Sequence, residues 1–179
     1  MIEELVKNRL RGYFDEACKE LKIDSSIYKF QFEKIGQRFT TNANAAEMVN
    51  NILFINEDWV LNALENNAEF DLMYIMYHEA RHIYQHIVIA DFDKRGKSCE
   101  LPAVIRSWKR DFSDYIRNEG DEKSWANNIS QSVEIDANAF ANVMLIKHNM
   151  GARIAPGQED IMPKHIRIIA KKLWNATIN

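Results

Sequence analysis

EFDLMYIMYHEARHIYQHIVIA, residues 69–90, decides how this chain is read. Apolar residues fall on several faces of a helix drawn through it: Phe70, Leu72, Met73, Tyr74, Ile75, Met76 and Tyr77, then Ile83, Tyr84, Ile87 and Val88. A helix that is apolar on most sides is normally buried. Yet its middle, YHEARHIYQH (77–86), carries three of the chain's 5 histidines around a glutamate and an arginine. Ionisable groups on a core helix need partners, because an unpaired buried polar group is costly.

The neighbouring segments supply the rest of the fold. Residues 1–21 place Ile2, Leu5, Val6, Leu10, Tyr13, Phe14, Ala17, Cys18 and Leu21 at the 3–4 spacing of an amphipathic helix, broken by Asp24-Ser25-Ser26. IYKFQFEKI (27–35) alternates and is rich in aromatic and branched residues, which predicts a strand ending at Gly36. QRFTT (37–41) is placed to return as its hairpin partner, and NILFIN (51–56) is a third strand candidate. Asn56 or Asp58 is a suitable cap for a short helix through Leu64. After the central helix, DFDKRGKS (91–98) reads as a solvated loop. LPAVIRSWKRDFSDYIR (101–117) is amphipathic, with Pro102 acceptable in the first turn. A long helix is expected from about Trp125 to His148, stopped near Gly151, and a last one over 162–174. The fold class is therefore α+β: one mostly helical domain over 1–179, with a small mixed or antiparallel sheet packed on the central helix. Trp59, Trp108, Trp125 and Trp174 are expected to be core or half-buried.

Composition narrows the function. With 179 residues and 46% apolar, the chain can bury one good core without disulfide or metal support. The 23 basic against 26 acidic residues leave no basic stripe for nucleic acid. The start, MIEELVKNRLRGYF, has no apolar h-region, and the apolar runs are too short for a membrane span. Cys18 and Cys99 lie far apart and read as free thiols, so a soluble cytoplasmic protein is the expectation.

His78 and His82 are one helical turn apart, so both rings project from one face. That spacing lets two imidazoles bind one metal ion at about 2.0–2.1 Å. Glu79, about 100° around the helix, sits beside such an ion rather than on the ligand stripe, as a general base should. His-Glu-x-x-His on a helix is a zinc-hydrolase signature for these reasons. His86 lies roughly 12 Å along the axis from His78 and cannot reach the same ion on a straight helix. No glycine after His82 ends the helix, as the three-histidine sites require. His86 is therefore expected at the surface or behind the site, and Arg81 solvated or ion-paired.

Two imidazoles leave room for a carboxylate. QSVEIDANAFANVML (131–145) offers Glu134 and Asn138 on one helical face, with Asp136 about 200° away. Glu134 is the expected third ligand, and Asn138 is placed to support a ligand histidine. Ala137 and Ala141, one turn apart, would let this helix approach the first closely.

His78-Glu79-Ala80-Arg81-His82 followed by Glu134-Ile135-Asp136-Ala137-Asn138-Ala139-Phe140-Ala141 resembles the gluzincin metallopeptidases, and within them the ImmA/IrrE-type peptidases. The resemblance covers about two helices. Arg81 stands where that family commonly has a small residue, and 51 residues (83–133) separate the motifs. The resemblance implies Zn²⁺ on His78, His82 and Glu134, with Glu79 catalytic, and a protein or peptide substrate. It also implies that the strand before the active helix, NILFIN, lies along the cleft and pairs with that substrate, the alternative being that it is simply an edge or core strand. A transition-state donor would come from His148, Arg153, His165 or Tyr115. The alternative is a non-catalytic regulatory or binding module with the same fold and a structural metal. Substrate identity and oligomeric state are not legible in the sequence.

Overall fold

The computed structural model describes residues 2–175. The α+β expectation holds. Helix α1 (Glu4–Glu20) leads through a 3-10 turn (Ser25–Ile27) into strand β1 (Lys29–Glu33). Strands β2 (Ala46–Val49) and β3 (Ile52–Asn56) follow, then helices α2 (Glu57–Glu65) and α3 (Glu69–Arg95). The C-terminal half is helical: α4 (Pro102–Ser113), α5 (Glu122–Ile129), α6 (Ser132–Lys147) and α7 (Met162–Asn175). Among the described residues no helix is long and apolar enough to cross a membrane.

The sheet departs from the expected hairpin. Its order is β1-β3-β2, with β1 parallel to β3 and β2 antiparallel to β3. Residues 37–41 contribute only an isolated bridge, Ile35 to Phe39. The tight turn lies instead at Asn50-Asn51, between paired Val49 and Ile52, with Asn50 at φ 54. Asparagine tolerates that left-handed conformation better than most residues. The segment before β2 is held by the buried Asn56 side chain, whose Nδ2 donates to the carbonyls of Thr41 (3.2 Å) and Asn44 (3.1 Å). The Asn56 Oδ1 accepts from the Asp58 and Trp59 amides and so also caps α2.

Helix α3 runs through the centre. Leu72, Met73, Met76, Tyr77 and Ala80 join Leu10 and Phe14 of α1, Leu53 and Ile55 of β3, and Phe140 and Ala141 of α6 in the main core, and Ala137 of α6 is also fully buried. The alanines let α3 and α6 lie close, as their spacing suggested. The C-terminal half of α3 packs with α4 in a smaller cluster of Val88, Ile105, Trp108 and Val133. Trp108 is fully buried, and Trp174 is half-exposed.

Three helix boundaries correct the sequence reading, the first at α4, which ends at Ser113 rather than 117. Residues 91–95 continue α3, stopped by Gly96 at φ 66. Their polarity marks a solvated helix face, on which Asp91 pairs with Arg95 one turn away. The helix expected over 125–148 is broken before α6. There the Asp111 carboxylate of α4 accepts the Ser132 amide at 2.6 Å, and the Gln131 side chain bonds both the amide and the carbonyl of Ile116. These tertiary bonds supply a second helix start, and Glu134 sits in the first turn of α6 as a result.

Candidate metal centre

Three side chains converge between α3 and α6. His78 Nε2 and His82 Nε2 are 2.9 Å apart, His78 Nε2 is 3.4 Å from Glu134 Oε2, and His82 Nε2 is 3.2 Å from Glu134 Oε1. A tetrahedral ion with bonds of about 2.0–2.1 Å has ligand-to-ligand edges of about 3.3–3.4 Å. The two nitrogen-to-oxygen edges fit that ion, and the nitrogen pair needs to open by a few tenths of an ångström. His78, His82 and Glu134 could therefore hold a metal ion.

The far side of each ring decides which nitrogen faces the centre. His78 Nδ1 lies 2.9 Å from Asn138 Oδ1, and His82 Nδ1 lies 2.9 Å from Gln85 Oε1. The Gln85 amide has no freedom to flip, because its Nε2 donates to two acceptors, the Val133 carbonyl (3.0 Å) and Asp136 Oδ2 (2.8 Å). Asn138 Oδ1 also accepts the Tyr74 hydroxyl at 2.8 Å. Each Nδ1 therefore donates its proton to an amide oxygen, and each neutral ring presents its Nε2 lone pair to the other. Two lone pairs and a carboxylate facing one another can be satisfied by a metal ion or by a proton between them. With only protons available, Glu134 is held well below the usual carboxylate range: burial opposes this, and the two histidines outweigh it. Burial likewise pushes the His82 imidazole down, and Glu134 overcomes it, raising it to about 9.

Glu79 lies beside the trio as its helical position predicts. It is almost fully buried, and that burial raises its carboxyl above the ordinary range against the opposing pull of His78 and His82. Asn138 occupies its expected place. Gln85 was not singled out from the sequence, although its i+3 spacing from His82 was available as a signal.

Arg81 is ion-paired, and it is buried rather than solvated. Its Nε and Nη2 bond Asp136 at 2.8 and 3.1 Å, its Nη2 lies 3.6 Å from Glu100, and its guanidinium covers the Tyr84 ring at 4.2 Å. Asp136, 200° from Glu134 on the helix, thus ties together Arg81 and Gln85 behind the centre. His86 is outside the trio, stacked on Phe112 with ring centroids 4.0 Å apart.

Of the four donors considered for the transition state, only Tyr115 touches the trio, donating its hydroxyl to Glu134 Oε1 at 2.6 Å. His148 pairs with Glu16, Arg153 with Asp71, and His165 lies on α7. The substrate-pairing role expected of NILFIN is also displaced. β3 is the central strand, so β2 is the edge beside α3. The Asn56 amide donates to the Ala45 carbonyl, so Glu47 and Val49 direct their backbone toward β3, and Ala46 and Met48 direct theirs outward.

No protein-family model, no curated protein and no solved structure matches the chain.

Proposed function

We propose that the chain is a zinc-dependent metallopeptidase of the gluzincin kind, resembling the ImmA/IrrE-type enzymes, that cleaves an extended peptide. The observation that carries this reading is the convergence of His78, His82 and Glu134 with a buried carboxylate, Glu79, one residue along the same helix. Three protein ligands leave a fourth tetrahedral position, the pattern of catalytic rather than structural zinc. Bound zinc supplies a Lewis acid that brings water toward a pKa of about 7 and polarises a carbonyl.

The chain's own groups do the rest. Asn138 and Gln85 fix the imidazole tautomers, so both Nε2 atoms stay free to bind. The Glu79 carboxylate accepts the proton of the attacking water and delivers it to the nitrogen of the leaving amine. Its raised affinity for protons suits a base that must also act as an acid. An extended peptide added to the outer side of β2 would run antiparallel or parallel to it, bonded to the backbone of Ala46 and Met48. The free thiols Cys18 and Cys99 accord with a cytoplasmic setting.

The test is Glu79→Gln. With zinc loaded and a peptide library digested and read by mass spectrometry, wild type should cleave. The variant should bind one zinc per chain and cleave at least about a hundredfold more slowly. Equal product from both proteins would remove Glu79 from the reaction and with it this reading.

A further inference from the structure

The 51 residues between the two motifs do more than connect α3 to α6. Residues 114–121 leave α4 and cross from the start of α6 to the β2 side of the site. Near α6, the Ile116 carbonyl accepts Asn128 Nδ2 and Gln131 Nε2. Next to these bonds Tyr115 meets Glu134. Beyond them, Arg117 Nη2 bonds Glu47 Oε1 of β2 at 2.6 Å, and the Asn118 carbonyl accepts Asn44 Nδ2 at 3.0 Å. Gly120, at φ 94, comes so close to residue 43 that a Cβ built on it would lie 3.7 Å from Ala43 Cβ. His78, Glu79 and Glu134 are 8%, 6% and 4% exposed, and the segment touches Glu134 through Tyr115.

The two ends of the crossing are held unequally. The α6 end uses bonds from buried Gln131. The β2 end uses an arginine whose side chain is 66% exposed, bonded to a glutamate that also pairs with Arg38. An exposed ion pair adds little to stability, so the β2 end is where the segment parts first.

We propose that residues 114–121 form a strap that closes the metal centre, latched to β2 by Arg117–Glu47 and Asn118–Asn44, and that the strap must lift from β2 before a peptide reaches the ion. The proposal rests on the metal-site reading above and adds to it a closed resting state. Opening parts the segment from Ala43, Asn44 and Glu47 beside β2 and from Glu134 in one movement, so access to the β2 side and to the metal centre is coupled.

Ala43→Cys with Gly120→Cys, in a Cys99→Ser background, tests it. The 3.7 Å separation lies within the Cβ–Cβ range of a disulfide, about 3.5–4.5 Å. The probe is a hydroxamate-capped dipeptide binding to the Co²⁺-loaded protein, followed by the visible spectrum of the ion and independent of turnover. The disulfide-closed protein should bind the probe at least about tenfold more slowly than the same protein after reduction. Strain at position 120 is common to both forms and cancels. Arg117→Ala, which touches no ligand, should speed binding about twofold to fivefold by weakening the latch. Equal rates in the oxidised and reduced protein would overturn the strap while leaving the metal site standing. A chain that takes up no Co²⁺ in either form would overturn the metal reading, and the strap with it.

Discussion

Two regions of the molecule bring histidine against glutamate, and they teach different things. At the surface, His148 Nε2 lies 2.9 Å from Glu16, whose carboxylate also accepts the Tyr77 hydroxyl. Between α3 and α6, His78 and His82 meet Glu134. The first pair is half-exposed, and the Tyr77 hydroxyl and His148 both point at Glu16. The second is buried, and amide oxygens pin the outer nitrogen of both rings so that two lone pairs converge. Proximity of histidine and carboxylate is common to the two regions. Only the second has an arrangement that a cation completes.

Breaking the buried centre should have the largest effect. His82→Ala or Glu134→Ala should lose zinc on desalting, falling from one ion per chain to near none by elemental analysis. His148→Ala should keep its ion. Retention by the Glu134→Ala protein would place the ligand set elsewhere.

The stability contrast comes next. Arg81→Met leaves Asp136 without its buried cation, while Glu100 keeps Lys172, and breaking a buried pair costs about 3–5 kcal/mol. Glu16→Gln, at a half-exposed pair, should cost about 0–1 kcal/mol. Urea denaturation of both variants checks the difference, and a cost near zero for Arg81→Met would deny its network a structural role.

Support of the rings is a smaller effect. Gln85→Leu or Asn138→Leu should fold and still bind zinc, with affinity lower by about 10–100-fold in chelator competition. Unchanged affinity would mean that neither amide fixes its histidine.

Acidity sharpens the comparison, because the two regions respond with opposite sign. Burial disfavours a charged Glu16, but bonds from Tyr77 and His148 outweigh it and lower its pKa. Its contribution is therefore present above the ordinary 4.5 and lost as pH falls through the lowered folded value. In the metal-free protein His82, raised from 6.5 to about 9, contributes stability below 6.5 that is lost as pH rises through 9. The melting-temperature gain on adding zinc should therefore grow between those two pH values. In calorimetry, the penalty of Glu16→Gln should vanish in acid.

The legible parts of the site were local. His78, Glu79 and His82 share one helix at fixed spacing, as do Glu134 and Asn138, so helical geometry alone puts the two histidines on one face with Glu79 beside it, and Glu134 with Asn138 on another. Their meeting depended only on two helices packing through small residues. What escaped the sequence was tertiary. The pairing of β2 with β3 depends on a turn at Asn50, while 37–41 offered an equally plausible partner for β1. The break before α6 comes from Asp111 and Gln131 bonding across elements, which no helical period records. The end of α3 was misplaced because DFDKR is polar, and polarity suits a solvated helix face as well as a loop. The bonds of residues 114–121 across the site are likewise between segments far apart in sequence.

The most direct test of the account is anomalous diffraction at the zinc edge from crystals grown with zinc. It predicts one peak bounded by His78 Nε2, His82 Nε2 and Glu134, with a water as the remaining ligand beside Glu79. A fourth protein ligand in place of that water, or no peak between α3 and α6, would contradict it.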